Sequence, residues 1–352
     1  MPIERHGRLR PLAVRDGAIY ASRGLCLFRI IDSDDRRKIF SFGGYIKSAF
    51  SRVWHVERIA RAEIRSMSIR ADGKALLIAG RSVVCMDANI ENVVGVFPVP
   101  GGSRPLRIEN SPDGFSYFGQ YSANKARNPV SIYGTADGIH WEVAYEFPRS
   151  SIRHVHGIFY DEIREGLWVL TGDDGDEAGI WFTDNNFKDL TPVSRGTQQS
   201  RAVTIFPVDS GLIVPMDTPQ ERNYINHYDI ERDRYEKLAS IPGSSLASTR
   251  DGDCMLISTA VERSKVNLEQ RSTVFGSIDG QNWKAVAKLN RDWKIVRNMR
   301  AYLQHPNIRF ADSDGSVDRV YASCMAIEGF DGEMISWDRR DLTKYLEGTS
   351  IL

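Results

Sequence analysis

The sequence predicts an all-β chain folded as a seven-bladed β-propeller with four-stranded antiparallel blades, a six-bladed arrangement being the alternative. Three observations carry this. Asp32, Asp87, Asp137, Asp184, Asp229, Asp279 and Asp338 recur at steps of 55, 50, 47, 45, 50 and 59 residues. Each ends a short apolar segment, and another strand-like segment follows most of them. A period of roughly 40–50 residues built from short strands marks a propeller. Asp-Gly pairs at Asp16-Gly17, Asp113-Gly114, Asp137-Gly138, Asp251-Gly252 and Asp279-Gly280 punctuate the apolar alternations as hairpin turns do. Finally, a Ser/Thr-x-Asp-Gly-x-x-Trp motif occurs twice, as Thr135-Ala-Asp137-Gly138-Ile-His-Trp141 and as Ser277-Ile-Asp279-Gly280-Gln-Asn-Trp283.

The elements follow in order within a single domain, 1–352. The blades run approximately over residues 8–43, 62–99, 103–148, 152–194, 199–242, 245–289 and 296–346, with an insertion at 44–61. Blade three is the clearest, with strands at 105–110, 115–120, 130–135 and 141–147. Blade four repeats it at 154–160, 166–170, 179–182 and 188–193. Blade one starts with a strand near 8–14, and blade seven begins near Arg300 and ends with a strand at 342–346. Around the insertion, Ile46, Phe50, Val53 and Trp54 stand at helical spacing, which suits a short amphipathic helix or a long connection.

Composition limits the function classes. Basic and acidic residues balance at 46 each, so no nucleic-acid partner is demanded. Hydrophobic residues are 41% and aromatics 10%, ordinary for a globular chain. The first residues contain no apolar h-region, and no run approaches the roughly 20 residues of a membrane span. Cys26, Cys85, Cys254 and Cys324 are scattered in apolar contexts and read as buried thiols. A cytoplasmic location is the default expectation, with export by a route lacking a classical signal left open.

The two turn motifs resemble the Asp-box (BNR) repeats of sialidase-like propellers, in a variant one residue shorter before the Trp. Thr183-Asp184-Asn-Asn-Phe187 is a degenerate third copy. The resemblance implies that Asp137 and Asp279 brace turns, that Trp141 and Trp283 are buried between blades, and that the chain acts on carbohydrate. It covers most of the chain as a repeat architecture. Phe28-Arg29-Ile30 is similar to the sialidase Arg-Ile-Pro motif, but Ile31 stands where the Pro belongs. The string His154-Val-His156-Gly157-Ile-Phe-Tyr160-Asp161, followed by Leu167-Trp168-Val-Leu-Thr171-Gly172-Asp173, is similar to segments of uncharacterised sialidase-like proteins.

A meander of four strands puts its A–B and C–D turns on one rim and its longer B–C loops on the other. Long polar loops on a rigid scaffold are where function concentrates. On that rim blade four offers His154 and His156, which strand alternation places on one side, opposite the acidic run from Asp173 and Asp174 to Glu177. These five are the candidate catalytic residues. Imidazole beside carboxylate is the basic unit of proton transfer near neutral pH. Arg65, Arg107, Arg201 and Arg300, with Tyr121, Asp217 and Tyr224, are the candidate substrate-binding residues, the arginines suiting an acidic group.

The expected function is therefore a carbohydrate-active propeller, a glycoside hydrolase on an acidic glycan. A lyase on a uronate-containing glycan, or a non-catalytic glycan- or protein-binding propeller, are the alternatives. No metal is assigned and no cofactor is expected, save that His154, His156 and a carboxylate could hold a divalent ion.

Overall fold

The chain is a seven-bladed β-propeller built of four-stranded antiparallel sheets. The computed structural model describes residues 1–31, 35–42, 63–262, 264–292 and 305–348. Asp32, Arg300 and the insertion with Ile46, Phe50, Val53 and Trp54 lie outside the described residues. Contacts divide the chain into two compact units, one of residues 1–63, 217–227 and 237–352, the other of 64–216 and 228–236.

The first unit holds three complete sheets. One orders β2 (Arg10–Arg15), β3 (Ala18–Arg23), β4 (Cys26–Ile30) and β5 (Arg36–Ser41), with the short β27 (Asp312–Ser313) added parallel to β2. A second orders β22 (Ser245–Asp251), β23 (Cys254–Thr259), β24 (Arg271–Ser277) and β25 (Lys284–Asn290). The third runs β26 (Asn307–Phe310), β28 (Arg319–Met325), β29 (Glu333–Asp338) and β1 (Glu4–Arg8). The outer strand of the seventh blade thus comes from the N-terminus, Glu4 lying opposite Ser336.

This corrects the strand expected at 342–346. That segment lies in helix α1 (Arg339–Glu347), which Asp338 caps by accepting from the Asp341 N–H. Leu342 and Leu346, four residues apart, stack on one helical face and are buried against Leu256, Trp337 and their neighbours. Gly348 ends the helix at φ 88°, a left-handed position suited to glycine.

The second unit holds the second to fourth sheets. They are β6 (Ile64–Ile69), β7 (Ala75–Ala79), β8 (Ser82–Met86) and β9 (Val93–Pro98); then β10 (Glu109–Asn110), β11 (Ser116–Gly119), β12 (Val130–Thr135) and β13 (Glu142–Phe147); then β14 (His154–Asp161), β15 (Gly166–Gly172), β16 (Gly179–Thr183) and β17 (Thr191–Arg195). The remaining sheet is β18 (Phe206–Val208), β19 (Gly211–Pro215), β20 (Asn223–Asp229) and β21 (Arg234–Ile241).

Inner strands are buried on both faces and read as continuous apolar runs, as in the Ala-Leu-Leu-Ile-Ala of β7. Outer strands such as β9 alternate half-buried with exposed residues. Between the third and fourth sheets Tyr117, Ile132, Phe147, Val155, Val169 and Trp181 form one core. Gly119 permits that approach, since a β-carbon there would fall 2.4 Å from the Val155 side chain. Among the described residues the four cysteines are free and buried, and no helix is long and apolar enough to cross a membrane.

The turn motifs close as a single design used twice. Asp137 Oδ1 accepts from the N–H groups of Ile139 and His140 at 2.8 Å each, and from Thr135 Oγ1 at 3.1 Å. Asp279 Oδ1 accepts from Gln281 and Asn282 at 2.9 and 2.8 Å, and from Ser277 Oγ at 2.9 Å. Both glycines have positive φ. In the degenerate copy Asn185, not Asp184, takes the bracing position, accepting from Thr183 Oγ1 and the Asp189 N–H, while Asn186 takes the positive φ. Trp141 is buried beside Phe118, with ring centroids 4.8 Å apart. Trp283 is only half-buried, its indole N–H donating to Gly280 O.

Candidate functional site

The fourth blade brings the predicted histidines and one predicted carboxylate into contact. His154 opens β14 opposite Gly172 at the end of β15. The pairing register shifts between Val155 and Gly157, leaving His156 in a bulge. Bulges re-aim side chains, and here the two rings meet with Nε2 atoms 3.0 Å apart. Gly172 is required by this packing, because a β-carbon on it would lie 2.3 Å from His156 Cε1. The chain then turns through Asp173, Asp174 and a short 3-10 turn (Gly175–Glu177) into β16.

Asp173 is the hub. Its Oδ1 lies 3.3 Å from His154 Nε2, 3.2 Å from His156 Nε2 and 3.4 Å from an Arg201 guanidinium nitrogen. Its Oδ2 accepts from Arg153 at 2.7 Å, and its backbone carbonyl accepts from Arg201 at 3.1 Å and Gln198 at 3.3 Å. The far nitrogens of the imidazoles are also engaged: His154 Nδ1 is 2.8 Å from Ser122 O, and His156 Nδ1 is 2.8 Å from Ala202 O. The histidines are 4% and 2% exposed, so only the Asp173 side of the cluster, with 16% side-chain exposure, reaches solvent.

Burial lowers the His154 pKa, partly opposed by Asp173. Burial alone would raise the Asp173 carboxyl, yet the two imidazoles beside it, whenever an Nε2 carries hydrogen, outweigh that and hold it far below the ordinary carboxylate range. Asp173 is thus an ionised group and a poor proton donor.

The other predicted residues sort around this hub. Tyr121 joins it, its ring centroid 4.3 Å from that of His154 and 6.2 Å from that of His156. Arg201 joins it, and Asp174, 55% exposed, lies 3.9 Å from the same guanidinium. Glu177 stands aside, its Oε1 taking a 2.5 Å hydrogen bond from Arg127. Arg107 pairs with Glu109 at 2.6 Å and stacks on Phe159 at 4.1 Å. Phe159 is five residues along β14 from His154, roughly 16 Å at strand rise, so Arg107 serves blade packing and not the cluster. Arg65 is half-buried on β6. Asp217 is buried and Tyr224 lies under the Lys237 ammonium at 4.1 Å, both in the other compact unit.

Arg153 and Arg127 were not among the predicted site residues. Arg153 stands just before β14, where strand alternation does not apply, and its Nε donates to Ala123 O at 2.9 Å, which aims the guanidinium at Asp173. The signal for it was its position beside His154. Arg127 sits in the 121–128 loop with positive φ, and nothing local in the sequence marks it.

His154, His156 and Asp173 each offer one ligand atom, and these lie within 4.8 Å of one another. The arrangement can hold a cation or relay a proton at its centre, and its two guanidiniums can meet an anionic group.

No protein-family model matches the chain, and no curated protein sequence matches it. Solved structures do. Hydrazine synthase of Kuenenia stuttgartiensis is similar over 82% of this chain and 80% of its own, with TM-score 0.52 and 16% identity. The β-propeller domain of Myceliophteria thermophila Cps50 (Swd1) is similar over 96% of this chain and 99% of its own, with TM-score 0.57 and 11% identity. A chain of the mitotic checkpoint complex is similar over 96% of this chain and 94% of its own, with TM-score 0.55 and 8% identity. At such identities the likeness is one of fold.

Proposed function

We propose that this chain is a carbohydrate-active propeller that takes an acidic glycan at the loop end of the fourth blade. The observation that carries the reading is the convergence of two buried imidazoles on one carboxylate oxygen, with two guanidiniums on the same carboxylate. The carbohydrate class is supported by the turn motifs at Asp137 and Asp279, which resemble the Asp-boxes of sialidase-like propellers. Both of those carboxylates are committed to their own turns, so chemistry falls to other loops. Arg153 and Arg201 favour an anionic substrate group.

Between hydrolysis and elimination, the contacts favour elimination. Two-carboxylate hydrolysis needs one carboxyl protonated near neutral pH. Asp173 is held ionised, and Glu177 is paired to Arg127. Elimination from a uronate needs a positive centre against the substrate carboxylate and a base beside the α-proton. Arg153 and Arg201 supply the centre, and Tyr121, against His154, is the base that takes the α-proton and hands it to the oxygen leaving the β-carbon as the double bond forms.

The test is to incubate the purified chain with uronate-containing, sulfated and neutral polysaccharides. Reducing ends and the absorbance of unsaturated uronates are then read together. Absorbance from a uronate polymer, lost in Tyr121→Phe, is expected. Reducing ends without absorbance would return the reaction to hydrolysis. Binding without turnover would make the chain a glycan-binding module, and neither binding nor turnover of any glycan would remove the carbohydrate reading.

A further inference from the structure

The hydrogen-bond partners of the histidine pair determine where their protons sit. A backbone carbonyl only accepts, so the Nδ1 atoms of His154 and His156, each 2.8 Å from such an oxygen, both carry hydrogen. In each neutral ring the remaining nitrogen, Nε2, then presents a lone pair. Those two nitrogens are 3.0 Å apart, and the third corner is Asp173 Oδ1, 3.3 and 3.2 Å away. Three electron-pair donors therefore face one another inside a nearly dry pocket. Such a triangle needs positive charge at its centre. One proton can bridge one edge of it, whereas a metal ion serves all three corners.

We propose that His154 Nε2, His156 Nε2 and Asp173 Oδ1 are three ligands of a divalent transition-metal site, with zinc the ion of first choice. Zinc bonds of about 2.0–2.2 Å at tetrahedral angles put ligand atoms about 3.3–3.5 Å apart, so the triangle is within a few tenths of an ångström of a zinc-bound set. Two imidazoles with one carboxylate select first-row transition ions over magnesium and calcium, which want oxygen. The surroundings are those a metal site uses. Each ligand ring donates its other N–H to a carbonyl, and the remaining oxygen of the carboxylate accepts from Arg153 at 2.7 Å. Gly172 leaves room where any side chain would strike His156. The fourth position opens on the Asp173 side, the part of the cluster that solvent reaches. Arg201, 3.4 Å from the ligating oxygen, opposes the ion by its charge and is partly offset by Asp174.

The site is the one on which the proposed function rests, but the test contains no glycan, so failure to bind metal and failure to act on a glycan are separate results. The full chain is stripped with chelator and titrated with zinc by calorimetry, with stoichiometry checked by elemental analysis. About one zinc per chain with a dissociation constant of about 1 μM or tighter is expected, and magnesium should not compete. His154→Ala and His156→Ala should each weaken binding by about 100-fold or more, beyond what losing an outer hydrogen-bond partner gives. Folded wild type that takes up no zinc overturns the inference, and so does zinc held equally well by both variants. Should either alanine variant fail to fold, Asp173→Asn and the visible spectrum of the cobalt(II)-loaded wild type decide. Cobalt bands that are absent, or unchanged in Asp173→Asn, overturn it too.

Discussion

The carboxylates of Asp137 and Asp279 and the carboxylate of Asp173 are all held ionised, but among partners from opposite ends of the sequence scale. Asp137 and Asp279 draw theirs from the next three residues and from the Ser or Thr two positions before. Asp173 draws its own from Arg153, His154, His156 and Arg201, between 17 and 28 residues away. The first arrangement is complete as soon as the turn forms and leaves nothing over. The second exists only when the blade has folded, and it gathers charge and titratable rings around one point without filling them. A carboxylate satisfied locally is a structural brace, whereas one satisfied from afar marks a place where groups have been brought together.

The sharpest break of this comparison is in turnover. If the fourth-blade cluster is the reactive centre, Tyr121→Phe or His156→Ala should lower turnover of a glycan substrate by about 10²–10⁴, the usual weight of a positioned group. Asp137→Ala should leave the turnover of folded protein unchanged. Steady-state rates for the three variants, with circular dichroism to confirm folding, decide it. A loss of equal size in Asp137→Ala would erase the distinction between brace and centre.

Next in size is the apolar anchor of each brace. Trp141 is buried among Phe97, Phe118 and Tyr133, so Trp141→Ala should cost about 3–5 kcal/mol of stability. Trp283 is half-buried, and Trp283→Ala should cost clearly less. Chemical denaturation reads both, and equal losses would mean that burial does not set the value of the turn tryptophan.

The same contrast explains what was legible in the sequence. Turns that close within a few residues could be read directly, and with them the strands on either side and the seven-blade count. The outer strand of the last blade could not, because Glu4 and Ser336 meet across nearly the whole chain and no local pattern records that pairing. A strand was expected at 342–346 in its place, although the four-residue spacing of Leu342 and Leu346 and the following Gly348 are helix signals. In the site, the histidines and Asp173 were legible because a hairpin partner is a short-range inference. Arg107 was not, because the first strand of its blade was expected over 105–110 and is shorter. Strand β10 has only two residues, and Arg107 lies before it, tied to Glu109.

A third effect concerns salt and charge at the centre. Arg201 is 11% exposed and touches Asp173 at both its carboxylate and its carbonyl. Arg201→Ala should weaken acidic-glycan binding by about tenfold, in line with 1.5–3 kcal/mol for a hydrogen bond to a charged group less what solvent and salt screen. Binding of the wild type should fall as ionic strength rises, and calorimetry at two salt concentrations reads both. Binding indifferent to salt and to Arg201 would show that the cluster's charge is spent internally, which would make it a brace like the turns.

The smallest effect is the pH dependence of a brace. Burial would raise the Asp279 carboxyl, but the Asn282 N–H and side chain, the Gln281 N–H and the Ser277 hydroxyl bring it down to about 2 from 3.8. A carboxyl whose folded pKa is depressed adds stability above its unfolded pKa and loses it as pH falls through the folded value. The contribution of Asp279 should therefore be level above about pH 5 and vanish between about pH 4 and pH 2. Its side chain is exposed, so the amount is small and solvent-screened. Asp279→Asn keeps an acceptor for the turn amides but cannot ionise. Its stability should differ from wild type by a constant amount at neutral pH, and the two should converge toward pH 2 in denaturation series at matched ionic strength. A difference that instead grows toward low pH would mean that the carboxyl is raised in the folded state, and that the turn is not what holds it.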